Sequence, residues 1–197
     1  LIPVWFLAVS LMVAGVVPLP WRAGKRRGFG SFWALVAGAA AIDVAALRLE
    51  VPYVNFLNFA FVWLAIHQLG FAWSEGRLAP DKALLWGAGG LVTLGLLVGP
   101  GPYPVAMIGV PGSGLSNSMP PTLALLALGI AQAGFALALE PAGRRMLDNL
   151  GLWTSVVLVN GMIMTIYLWH LTAFVLVMVA AWLLGGLGLD VQPGSAA

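Results

Sequence analysis

The chain has 197 residues, of which 61% are hydrophobic and only 8% charged, with a formal net charge of +2. Soluble domains carry roughly 25% charged residues, and 197 residues cannot cover a water-soluble core with so few, so lipid is the expected solvent. Cysteine is absent, which excludes disulfides, thiolate metal sites and cysteine nucleophiles. The fold class expected is all-α, a polytopic transmembrane helix bundle of about six spans forming a single domain over 1–197.

Taken in chain order, apolar runs close to the ~20 residues of a spanning helix cover 3–19, 31–47, 55–73, 82–98, 120–139 and 156–184. The first begins at Leu1 with no initiator Met and no charged leader, and reads as part of something longer. The last exceeds one bilayer crossing, so it either tilts or begins as an interfacial piece around 150–155.

The connections support this division. The first carries Arg22, Lys25, Arg26 and Arg27, the third Arg77 beside Lys82, and the fifth Arg144 and Arg145. The second has only Arg48 beside Glu50, and neither the fourth nor the tail after residue 184 has Lys or Arg. Under the positive-inside rule the odd connections are cytoplasmic and both ends of the chain lie outside. Basic residues confined to short connections also argue against a nucleic-acid partner.

Small residues at Ala34, Ala37, Gly38, Ala41 and Ala45, and a Gly95/Gly99 pair, suit close helix approach. The fourth connection, 99–119, is rich in Gly and Pro yet keeps Tyr103, Val105, Met107, Ile108 and Val110. Such a loop either covers a site or packs as a plain crossover. Residues 190–197 read as a flexible tail.

Ionisable and amide side chains inside spans are costly and serve as functional candidates. His67 and His170 each read either as a hydrogen-bonded packing residue or as a wall of a polar cavity. Asp43, one turn from the outer end of its span, reads as a hydrated helix end or a cavity-lining carboxylate. Asn55, Asn58, Gln68, Gln132 and Asn160 either join helices or hold a polar group. Asn58 and His67 stand nine residues apart, about half a turn around a helix, so they cannot line one cavity. Two histidines with few carboxylates make no metal set, and metal ligands are not expected.

Three segments, NFLNFAFVWLAIHQLGFAW (55–73), YPVAMIGVPGSGLSNSMPPTLALLALGIAQ (103–132) and IYLWHLTAFV (166–175), together resemble the C-terminal half of the acyltransferase-3 family of polytopic membrane O-acyltransferases, especially its actinobacterial members. The SN-x-M-PPT stretch of 116–122 is the most specific part. The resemblance implies transfer of an acyl group from acyl-CoA, as co-substrate with no bound cofactor, to a hydroxyl of a glycan or other small acceptor. It also implies an integral protein of the bacterial cytoplasmic membrane. Substrate-binding candidates carried by the resembling segments are His67, Gln68, Ser116, Asn117 and His170. The family's essential histidine follows an Arg or Lys by about eleven residues, whereas Phe56 and Val159 stand at that distance from His67 and His170. No catalytic residue is therefore expected within this chain, and the segment by itself is expected to be inactive. A transporter of a polar or lipid-linked substrate, or a non-catalytic membrane partner, is the alternative reading.

Overall fold

A computed structural model describes residues 15, 29–78, 80–109 and 115–185. The expected span 3–19, the basic cluster of the first connection and the tail 190–197 lie outside them, residue 15 apart. Among the described residues six α-helices and no strand occur: α1 (Gly30–Arg48), α2 (Asn58–Ser74), α3 (Ala83–Val98), α4 (Leu123–Met146), α5 (Leu150–Gly161) and α6 (Ile163–Leu183). Short 3-10 turns at Val54–Leu57 and Pro80–Lys82 lead into α2 and α3. The all-α class holds, and four stretches are long and apolar enough to cross a membrane: Gly30–Arg48, Val54–Ser74, Leu123–Met146 and Ile163–Leu183. The chain is an integral membrane protein in contact with a lipid bilayer.

Two of the expected spans, 82–98 and 156–184, differ from their sequence reading. Over 82–98 the α-helix has only 16 residues, ~24 Å at 1.5 Å per residue, against a hydrocarbon core of ~30 Å. The 3-10 turn before it adds ~6 Å. Over 156–184 there is no single helix. Asn149 caps a helix start by accepting the Leu152 N–H at 3.1 Å, α5 ends at Gly161, and α6 begins after Met162. The run is continuous in hydropathy, and the break comes from backbone geometry that an apolar window does not register.

The chain divides into two compact units, Leu1–Glu140 and Pro141–Ala197. In the first, α1 to α4 alternate in direction. One end gathers Phe29, Ala72, Leu78, Ala83, Trp86 and Leu137 from the start of α1, the end of α2, the start of α3 and the later part of α4. There the Trp73 indole N–H donates to Glu140 Oε2 at 2.7 Å. The middle is held by Phe32, Ala39, Val62, Ala65, Leu69 and Leu126.

Close approach does occur between helices, at the expected Gly38, where Phe61 of α2 occupies the space of a Cβ, and otherwise at residues other than those expected. A Cβ on Gly90 would stand 2.5 Å from the Ala131 backbone nitrogen, and one on Gly134 2.2 Å from that of Gly87. Gly87 and Gly90 of α3 thus meet Ala131 and Gly134 of α4 backbone to backbone, the small-residue contact that dispersion favours in lipid. By contrast a Cβ on Gly95 meets nothing within 4 Å, and one on Gly99 meets only the Gly95 carbonyl. On α1 the buried face is Phe32, Ala39, Ile42 and Asp43, with Phe61 lying against Gly38, while Ala34, Ala37 and Ala41 are exposed.

In the second unit, α5 and α6 bury no residue, and a helix apolar all round needs lipid or protein on every side. The two α5 hydroxyls are satisfied within the helix: Thr154 and Ser155 donate to the carbonyls of Leu150 and Gly151, at 2.8 and 2.9 Å.

Candidate functional site: a buried carboxylate at one end of the bundle

Asp43 is 4% exposed, so it is no hydrated helix end. Its carboxylate accepts three hydrogen bonds. Asn58 Nδ2 donates to Oδ1 at 2.7 Å, while the Tyr103 hydroxyl and the Leu123 backbone N–H donate to Oδ2 at 2.7 and 2.8 Å. The donors come from α2, the 99–122 connection and the first residue of α4. Charge-assisted bonds of this kind are the strong ones, and burying a carboxylate without them would be prohibitive.

Local sequence explains how each donor arrives. A tight reversal follows α1, with Glu50 and Tyr53 both at positive φ, 53° and 62°. Val51 N–H closes back on the Ala45 carbonyl at 3.1 Å, and the chain re-enters the bundle as the 3-10 turn carrying Asn55. Asn58 is fully buried. Its orientation follows from Asp43: turning the amide over would set oxygen against carboxylate oxygen, leaving two acceptors face to face. Asn58 Oδ1 is buried without a hydrogen-bond partner.

Asn117 ties the 99–122 connection together. Fully buried, it donates through Nδ2 to the carbonyls of Pro104 at 2.7 Å and Ala106 at 3.1 Å, and accepts the Thr122 hydroxyl at 2.8 Å. The Thr122 N–H closes on its backbone carbonyl at 3.1 Å. With Thr122 engaged by Asn117, and no N–H on Pro120 or Pro121, α4 starts at Leu123 instead of residue 120. The first N–H of α4 is capped by Asp43 from 80 positions earlier in the chain. A carboxylate suits that place, where helix N–H groups and dipole both favour negative charge. The described part of the connection therefore packs against the carboxylate, with Tyr103 buried, while Val105 and Ile108 stand exposed. Burial first, and the Asp43 carboxylate second, raise the Tyr103 phenol above its usual range.

Beside this carboxylate is a cavity of about 90 Å³ lined by Asp43, Asn55, Ser116, Met119, Pro121 and Thr122, among others. At ~30 Å³ per water it holds about three waters, or a group of hydroxymethyl size. A carboxylate offers about four lone-pair sites, and three of those on Asp43 are taken by its protein donors. One remains to accept a hydroxyl entering the cavity. The Ser116 hydroxyl lies 3.4 Å from that of Ser118 and accepts the Ser118 N–H at 3.3 Å.

The candidates named from sequence are brought together only in part. Ser116 lines the cavity, and Asn117, one residue on, spends its side chain on the loop. Gln68 is buried in α2, whereas the adjacent His67 is exposed, with its ring centroid 6.3 Å from that of Phe71. His67 stands about 13 Å further along α2 than Asn58, on the opposite side, away from Asp43. His170 belongs to the second unit; its Nδ1–H donates to the Tyr167 carbonyl one turn back. Among the described residues no cluster of His, Asp and Glu forms a metal site. By sequence Tyr103 is one of several apolar residues of the 99–119 loop, and its place opposite Asp43 depends on contacts across 60 positions. Compared with known proteins, the chain matches no family model, no curated protein and no solved structure.

Proposed function

We propose that this chain is the membrane-embedded, acceptor-binding part of an O-acyltransferase, with the cavity beside Asp43 receiving the hydroxyl to be acylated. One observation carries the reading. Two segments that resemble acyltransferase-3 proteins, 55–73 and 103–132, are far apart in sequence, yet both supply residues to the same buried carboxylate and cavity: Asn55 and Asn58 from one, Tyr103, Ser116 and Leu123 from the other. A cavity of about 90 Å³ suits the hydroxyl-bearing end of a glycan or small acceptor, with the rest of the acceptor outside.

In this reading Asp43 accepts the acceptor hydroxyl as a hydrogen-bond donor and so points the oxygen lone pairs away from itself, toward the acyl carbonyl. Alignment of that kind contributes by positioning. Proton removal needs a base of near-neutral pKa, the task of the essential histidine that the resemblance implies and whose motif neither His67 nor His170 matches. The cavity lies at the end of the bundle away from Arg77 and Lys82. With the positive-inside orientation, that is the outer face, so the reading requires the acyl group of a cytoplasmic acyl-CoA to reach the hydroxyl through the bundle.

The test is Ser116→Leu in the full-length gene product, assayed in membrane vesicles with labelled acyl-CoA. Filling the cavity raises the KM for acceptor at least tenfold at unchanged protein level, while KM for acyl-CoA is retained. Unaltered transfer by this variant refutes the assignment of the cavity.

A further inference from the structure

At the other end of the first unit lies a groove of about 420 Å³ between α1, α3 and α4. It is lined by Trp33, Lys82, Trp86, Gly89, Thr93 and Ile130, among others, and among the described residues its one charged group is Lys82. Lys82 is exposed and forms no ion pair among the described residues; Asp81 beside it does not pair with it, and Arg77 is paired with Glu75 at 2.5 Å. Lys82 is also the N-cap of α3, with no side chain capping the first turn, so the ammonium and the helix N–H groups present positive charge at the same place. One turn along α3 the indoles of Trp86 and Trp33 stack with centroids 6.1 Å apart, and tryptophan prefers the headgroup level of a bilayer. From Lys82 to Thr93 the groove follows α3 for ~16 Å, which is half of a ~30 Å hydrocarbon core and so the depth of one leaflet.

We infer that this groove is a binding site for one anionic phospholipid, its phosphate at Lys82 and the α3 N-terminus and one acyl chain lying along Gly89 and Thr93. Length and charge each contribute to the choice. An apolar groove one leaflet deep takes an acyl chain, and an unpaired cation at its headgroup end selects an anionic lipid over a zwitterionic one. The inference is independent of the acceptor site, which lies at the opposite end of the bundle.

The test uses the full-length protein in mild detergent, given phosphatidylglycerol or phosphatidylcholine of identical chains, with retained lipid counted by native mass spectrometry. The wild type retains phosphatidylglycerol preferentially. Lys82→Gln reduces that preference about fivefold, the effect of one basic residue near the membrane surface. Gly89→Leu lowers retention of both lipids, and it does so without disturbing the fold, because a Cβ at Gly89 meets nothing within 4 Å. Three results overturn the proposal: a lipid preference unchanged by Lys82→Gln, retention unchanged by Gly89→Leu, or no retained lipid in the wild type, as when protein fills the groove. Stronger retention of a long-chain acyl-CoA than of phosphatidylglycerol, lost in both variants, likewise overturns it and assigns the groove to the acyl donor.

Discussion

Tyr103→Phe removes a single hydroxyl and leaves the ring, so it isolates the bond that ties the 99–122 connection to Asp43. The lost bond is 2.7 Å long, buried, and made to a carboxylate. Bonds to charged groups contribute about 1.5–3 kcal/mol net, and the remaining donors, Asn58 Nδ2 and the Leu123 N–H, cannot move in to replace it. At about 2–4 °C per kcal/mol for a chain of this size, thermal unfolding in micelles falls by about 3–12 °C. Tyr53→Phe is the control, because Tyr53 is 82% exposed, and it leaves the midpoint unchanged. A double-mutant cycle with Asp43→Ala completes the assay. In the Asp43→Ala background the Tyr103 hydroxyl has lost its acceptor, so removing it costs nothing further. An equal cost of Tyr103→Phe in both backgrounds refutes the pairing, as does a loss below about 0.5 kcal/mol in the wild type, the range of ordinary surface substitutions.

Three further outcomes follow from the same geometry. Because the folded protein raises the Tyr103 phenol above its ordinary range, the folded state holds that proton more tightly than the unfolded one. The resulting stability is complete below about pH 10, the ordinary tyrosine value, and is lost as pH rises beyond it, at about 1.4 kcal/mol per pH unit; Tyr103→Phe removes that component from a stability-versus-pH titration. Asn117→Ala deletes three side-chain hydrogen bonds, a loss of about 1.5–4.5 kcal/mol at 0.5–1.5 each, and limited proteolysis then cuts within 99–122 faster than in the wild type. Gly134→Val forces α3 from α4, since even its Cβ would lie 2.2 Å from the Gly87 nitrogen, and overpacking of this kind costs at least about 1–3 kcal/mol; Gly95→Ala, facing open space, leaves the unfolding midpoint within 1 °C.

What could be read in advance divides along the range of the interactions involved. Apolar length alone marked α1, α2, α4 and α6, because a bilayer demands a run of fixed length whatever the neighbours. Boundaries set by polar detail were less visible. The α4 start at Leu123 depends on a cap from Asp43, the α5 start at Leu150 on the Asn149 cap, and the separation of α5 from α6 on the backbone at Met162. Small-residue spacing pointed to Gly95 and Gly99, whereas the contact runs through Gly87, Gly90 and Gly134. GxxxG spacing says that a close approach is possible, and only the partner helix decides which face is used.

The candidate site shows the same division. Asp43 was legible as a costly carboxylate within a span, but not its three donors, two of which come from 60 and 80 positions away. Histidine drew attention by its chemistry, yet His67 lies on the exposed side of α2 while its neighbour Gln68 faces the core. The half-turn between Asn58 and His67 followed from helix geometry alone, and the structure has Asn58 buried and His67 exposed. Asn117 stood out through the SN-x-M-PPT stretch; its hydrogen bonds explain that stretch as the knot that ends the loop and starts α4.

The measurement that tests the central claim most directly is acyl transfer itself. Membrane vesicles containing the full-length gene product are given isotopically labelled acyl-CoA, and extracted glycans and small hydroxyl-bearing molecules are searched by mass spectrometry for the acyl increment. The account predicts a labelled ester that is present with the wild type, absent without the gene, and reduced at least tenfold by Ser116→Leu at equal protein level. An identical set of esters with and without the gene contradicts it.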